Sequence, residues 1–150
     1  MREKEEKSDF YIAGEHWINS MLATAVIGLI LIGIPYYYSI IDIDNLGWWP
    51  LIINPACTWL GTKYSAKLIN RWYVVSSGKH IAILSTAYSI TIALIFSALF
   101  GFSDIRTFDV DTVAYILVLL VFYLESSRSI GNENEDSEVA NDVEEDYYTM

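Results

Sequence analysis

"IAILSTAYSITIALIFSALFG", residues 81–101, carries no charged side chain, yet small residues interrupt its bulky ones at a fixed interval. Ser85, Ser89, Ala93, Ser97 and Gly101 recur at every fourth position among Ile, Leu, Phe and Tyr. A four-residue repeat stays close to one face of a helix with 3.6 residues per turn. The stretch therefore reads as an apolar helix with a narrow strip of small side chains. Its length decides what kind of helix it is. Each residue adds ~1.5 Å of rise, and crossing a hydrocarbon core takes about 20 apolar residues. The uncharged run 81–103 meets that requirement.

Two earlier uncharged runs, 17–41 and 45–62, are of the same kind. A fourth, 112–124 ("TVAYILVLLVFYL"), is shorter, but extending it to 108–127 reaches spanning length. Asp109 and Asp111 then fall at the helix N-terminus, where the dipole favours anions. The expected fold is an all-α integral membrane four-helix bundle with short hairpin loops. Its spans lie at 17–40, 48–69, 81–102 and 108–127 within a transmembrane domain 16–128, preceded by a cytoplasmic segment 1–15. The first run is long and lacks a small-x-small cleavage site, so it reads as a retained helix rather than a signal peptide. The single cysteine, Cys57, rules out an intramolecular disulfide and falls inside a span as a buried thiol.

Basic residues orient the bundle. Arg2, Lys4 and Lys7 precede the first span, Lys63, Lys67, Arg71 and Lys79 surround the second loop, and Arg128 follows the fourth span. Arg106 alone lies in an opposite loop. The positive-inside rule then gives one answer at every crossing, with both termini cytoplasmic and the chain multi-pass in a cell inner membrane. Tyr36, Tyr37, Tyr38, Trp48 and Trp49 suit an outer aromatic belt, and Trp17, Trp72 and Tyr73 an inner one. The remaining segment, 129–150, holds Glu133, Glu135, Asp136, Glu138, Asp142, Glu144, Glu145 and Asp146 and no Lys or Arg. Those acids supply most of the net charge of −10. A segment of that composition cannot bury enough apolar surface to offset its ordering entropy, so a disordered acidic tail is expected. Within it, Glu144, Glu145, Asp146, Tyr147 and Tyr148 form a candidate anchor for a basic cytosolic protein. No basic stripe with interleaved aromatics points to direct nucleic-acid binding.

Helix two carries the other pattern of interest. Asn54, Thr58, Thr62 and Ser65 share one face, and polar groups facing lipid are costly, so this face should meet protein or water. It is either the wall of a pore or hydrogen-bonding glue between helices. The strip on helix three is a docking face, because close backbone approach at small residues drives helix association in lipid. Its partner is either another helix of the same chain or a second subunit, and a subunit contact is the expectation. No catalytic or metal set emerges. Asp42 with Asp44 and Asp109 with Asp111 read as solvated loop acids, and His16 and His80 as half-exposed interfacial side chains. No cofactor is implied.

The overall plan resembles, in architecture alone, small bacterial or phage membrane proteins that block a toxin or an invading phage, and membrane subunits of defence systems. That resemblance implies a non-enzymatic interaction protein of the immunity, exclusion or defence type. It would work in the lipid bilayer as a homo-oligomer or with a membrane-protein partner, through its helix faces and acidic tail. A homo-oligomeric pore lined by helix two is the alternative, and a membrane-embedded enzyme the third reading.

Overall fold

A computed structural model of the chain describes residues 4–38, 49–100 and 110–131. Those residues form four helices: α1, Asp9–Tyr37; α2, Pro50–Trp72; α3, Gly78–Phe100; and α4, Val110–Ser129. The acidic loop pairs, Gly101, and the tail with Glu144, Glu145, Asp146, Tyr147 and Tyr148 lie outside the described residues or, for Asp111, among side chains not described.

Helix α1 starts well before its apolar run. Ser8 is extended (φ −64°, ψ 145°), and its hydroxyl accepts from the Tyr11 N–H at 3.3 Å. This satisfies one of the orphan donors of the first turn, where Asp9 also sits favourably. Further along, Leu29–Gly33 widens into a π-helical turn, closed by the Ile34 N–H donating to the Leu29 carbonyl. Pro35 explains the widening. Its ring has no N–H and would crowd the carbonyl four residues back in a regular α-helix. Helix α2 places Pro50 in its first turn, where a missing N–H costs nothing, and ends with Arg71 against the negative end of the dipole.

The helices form a square in which α1 packs on α2, α2 on α4, α4 on α3 and α3 on α1. Ser20 meets Thr62 and His16 meets Ser65, so α1 and α2 run antiparallel. Ser85 meets Ala13 and Ser89 meets Trp17, so α1 and α3 run parallel. Helices α2 and α3, although consecutive, thus occupy a diagonal rather than the neighbouring hairpin positions that the sequence suggests. The link 73–77 is long enough for this. Five extended residues reach ~16 Å, and the diagonal of a square with ~8–10 Å sides is about 11–14 Å.

The apolar core sits at one end. Ile12, Ala13, Ala66, Ile69, Tyr73, Ile81 and Ile130 form a single buried cluster there. Backbone bonds tie the chain's loose ends to the same place: Glu5 N–H to Trp72 O at 2.9 Å, Val74 N–H to Glu5 O at 3.1 Å. The Gly131 N–H reaches Asn70 Oδ1 at 3.0 Å, with Gly131 in the left-handed region at φ 90°. Residue 5, the link 73–77 and residue 131 therefore share one end of the bundle. Close approach of α1 and α2 depends on Gly61, where an added Cβ would collide with Thr24 and crowd the Ser20 carbonyl.

Toward the opposite end the surface is apolar and open to the surroundings: Val26, Leu29, Ile30, Leu31, Leu94 and Ile116 are all about half exposed or more. Among the described residues three helical stretches, Asp9–Tyr37, Gly78–Ile95 and Thr112–Ser129, are long and apolar enough to cross a membrane. Helix α2 matches them in length but carries more polar residues, and its sides on α1 and α4 hold most of those that are buried.

Candidate functional site

At the border between the packed end and the open half, polar side chains from all four helices are withdrawn from the surface. His16 on α1 is the centre and is fully buried. Its Nδ1 lies 2.9 Å from Ser65 Oγ on α2, and its Nε2 lies 2.9 Å from Ser126 Oγ on α4. The ring stacks on Phe122 with centroids 5.6 Å apart and planes 14° from parallel. Behind the ring each serine has a second partner: Ser65 Oγ reaches the His16 carbonyl at 2.9 Å and Ser126 Oγ the Phe122 carbonyl at 2.6 Å. A serine has one proton to give. Each hydroxyl can therefore accept from the ring while donating to its carbonyl, or turn its proton to the ring. A neutral imidazole, with one N–H and one lone pair, needs one serine in each arrangement.

The same layer continues sideways. Ser20 and Thr62 hydroxyls are 3.0 Å apart, Ser85 donates to the Ala13 carbonyl at 3.0 Å, and the Trp17 indole N–H donates to Ser89 Oγ at 2.7 Å. Thr58 returns its hydroxyl to the Asn54 carbonyl of its own helix at 2.8 Å. Of the polar face on α2, Thr58, Thr62 and Ser65 are thus buried with their hydroxyls bonded, while Asn54 is exposed. Of the small-residue strip on α3, Ser85 and Ser89 bond to α1, and Ala93 lines a cavity between the helices. The Ser97 side chain and Gly101 are outside the described residues.

That cavity begins at Trp17 and Phe122 and has a volume of about 390 Å³. A second, of about 410 Å³, shares Thr24, Thr58, Tyr115 and Val118 with it and extends to Gly28, Ile32 and Asn54. The first is almost wholly apolar, and its Ser20, Thr58, Ser89 and Trp17 already have partners; the second is more polar, with Thr24, Asn54 and Thr58 in its wall.

No protein-family model, curated protein or solved structure matches this chain.

What the arrangement can do follows from its own chemistry. Among the described residues no three His, Cys, Asp or Glu side chains group as metal ligands. Glu125, almost buried on α4, accepts from the Trp59 indole N–H at 2.9 Å and from the Ser129 hydroxyl at 2.6 Å, and Lys63 lies 5.4 Å over the Trp59 ring. At the bundle end, Tyr73 donates to Glu15 Oε2 at 2.6 Å. That carboxylate bond, with burial, holds the Tyr73 phenol well above its usual pKa. Asp9 accepts from Ser76 at 2.9 Å and lies 2.9 Å from His80 Nδ1.

His80 is more than half exposed, as an interfacial histidine should be. His16 is not. Its burial is the main departure from the sequence reading, and the reason is partners separated from it by 49 and 110 positions. Glu125 and Ser126 were missed with it, and their one signal is that they end an otherwise apolar run. Ser20, by contrast, stands in a visible four-residue series with Thr24 and Gly28 on the face of α1 that also holds His16.

Proposed function

We propose that this chain is a non-enzymatic, multi-pass membrane protein that acts by contact, with α2 as a fourth, partly shielded crossing. The end bearing residue 5, the link 73–77 and residue 131 faces the cytoplasm. The clustering of Lys4, Lys7, Lys63, Lys67, Arg71, Lys79 and Arg128 toward that end supports the orientation. One observation carries the functional reading. The hydroxyls of Thr58, Thr62, Ser65, Ser85 and Ser89 are spent on bonds within the chain, so they serve as fasteners rather than as conduit or reactive groups. What the bundle offers outward in its open half is apolar helix surface, suited to lipid and to other membrane helices.

Reconstitution tests this. Potassium flux through liposomes holding the full chain should match that of empty liposomes. A photo-crosslinking side chain placed at Leu94 or Ile116, on the exposed faces of α3 and α4, should yield a discrete protein adduct in native membranes. Flux above background that falls in Thr58→Val would support a pore instead and overturn the proposal.

A further inference from the structure

We infer that the aromatic groove around Glu15, on the outer side of α1, is a binding site for the ammonium headgroup of a zwitterionic phospholipid. The inference rests on α1 as a membrane crossing and not on the contact role proposed above.

Three parts of the chain build the groove. Phe10 and Tyr11 come from the first turn of α1, Tyr73 from the residue after α2, and Tyr88 from α3, around a cavity of about 540 Å³. The rings form two edge-to-face pairs, Phe10 with Tyr88 at 5.1 Å between centroids and Tyr11 with Tyr73 at 6.3 Å. The Tyr88 hydroxyl donates to the Phe10 carbonyl at 3.3 Å and the Tyr73 hydroxyl to Glu15 at 2.6 Å, which fixes both tyrosines. Gly14 lines the same cavity and, having no side chain, leaves it clear beside Tyr88.

Charge selects the occupant. Glu15 stands partly buried in the wall, and the bond it accepts from Tyr73 comes from a neutral phenol. Among the described residues the ion pairs are Lys7 with Glu5 and His80 with Asp9, so no cation offsets Glu15. A carboxylate drawn from water without a counter-charge is costly. Aromatic faces, for their part, attract an ammonium group within about 6 Å of the ring centroid. Both features call for the same ligand, an organic cation, and neither an anion nor plain hydrocarbon answers them. The fold already uses this contact once, with Lys7 Nζ lying 5.8 Å over the Tyr11 ring.

Depth selects the source of that cation. From Glu15 to Tyr36 is ~32 Å along α1, close to the ~30 Å thickness of a hydrocarbon core. With exposed Tyr36, Tyr37 and Tyr38 at one interface, Glu15 stands at the headgroup level of the other. Ile18 also lines the groove, is half exposed, and lies one turn deeper, where the glycerol and upper acyl chain of the same lipid belong. A phospholipid carries its ammonium to this depth already. A soluble amine would have to leave water and would bring no apolar part to set against Ile18.

Native mass spectrometry of the delipidated full chain in mild detergent tests this, with 1-palmitoyl-2-oleoyl-phosphatidylethanolamine and the phosphatidylglycerol of the same chains as probes. Glu15→Gln should weaken phosphatidylethanolamine binding about tenfold, as loss of a charge-assisted contact does, and change phosphatidylglycerol binding less than about twofold. Glu6→Gln, an equal change of charge outside the groove, should leave both lipids unaffected. Gly14→Leu should weaken phosphatidylethanolamine alone by filling the groove, and its Cβ would meet the Tyr88 ring at an ordinary 3.8 Å, which the fold tolerates. Glycerophosphoethanolamine, the headgroup without its chains, should not displace the lipid at equal concentration. Unchanged binding in folded Glu15→Gln, equal loss of both lipids, or displacement by the chain-free headgroup would each overturn the inference. If Glu15→Gln does not fold, Gly14→Leu decides alone. Failure of both to fold would make the groove part of the packed core, which also overturns it.

Discussion

The two halves of the bundle are built on different principles. At the closed end, isoleucines, alanines and hydroxyl groups interlock, and just beyond it, at the start of the open half, Gly61 still lets α1 and α2 approach closely. In the open half the helices carry bulky apolar side chains, about half of whose surface is free, and cavities remain between them. The contrast teaches where cohesion comes from in lipid. Leucine and isoleucine gain nothing by leaving a hydrocarbon solvent for a protein one, so bulky residues alone do not draw helices together. Small residues and interhelical hydrogen bonds do, and here they are concentrated at one end.

The largest test of that contrast is a pair of glycines. Gly61→Leu should destabilise the bundle by about 3 kcal/mol or more, because the added side chain meets the backbone of Thr24 and Ser20. Gly28 faces no atom within 4 Å, so Gly28→Leu should be silent or stabilising by up to ~1 kcal/mol through better helix propensity. Thermal unfolding in mild detergent, followed by circular dichroism, measures both. Equal losses would erase the distinction between close helix contact and open helix surface.

The two histidines sharpen it next. His16→Ala removes a buried ring, leaves a void against Phe122, and strips partners from Ser65 and Ser126, for a loss of about 3 kcal/mol. His80→Ala removes an exposed contact to Asp9 and should cost less than ~1 kcal/mol. A His80 effect as large as that at His16 would relocate the keystone from the buried layer to the surface.

Much of this architecture is written locally, and some of it is not. Uncharged runs announce the helices because the bilayer tolerates few charges, and the four-residue steps of Ser85, Ser89 and Ala93 announce a packing face. Both are periodicities within one helix. The start of α1 escaped notice because Glu15 and His16 interrupt the apolar run before Ser8 can cap it. The square's order also escaped, since a link the length of 73–77 reaches a neighbour or a diagonal equally well. His16 was illegible for a deeper reason. A lone histidine near an interface has the same sequence signature whether it is wet or clasped by distant serines, and only the α1–α4 diagonal brings Ser126 to it.

Smaller effects should mark the rim of the closed end. Tyr73→Phe should cost about 1 kcal/mol at neutral pH through loss of the bond to Glu15. It should also flatten an alkaline slope. The native phenol is held above the usual value of about 10, so its contribution is complete below that pH and declines as pH rises toward the folded value. Melting temperatures between pH 8 and 11 should fall more steeply for the parent than for Tyr73→Phe. Parallel curves would show that Tyr73 ionises freely and does not seal that end.

The smallest expected effect asks whether the strip on α3 acts between helices. Ser85 sends its proton across to the Ala13 carbonyl at 3.0 Å, whereas its neighbour Thr86 returns its own to Ala82 of the same helix at 2.8 Å. Interhelical bonds of this kind average ~0.6 kcal/mol in membrane proteins, because the separated helices also find partners for their polar groups. Ser85→Ala should lose about that much. Thr86→Ala should lose almost nothing, since its hydroxyl bond joins no two helices, and alanine is the better helix former. The comparison needs replicate melts in one detergent to resolve a difference this small. If the order is reversed, the hydroxyls stiffen α3 itself, and the attachment of α3 to α1 rests on small-residue packing alone.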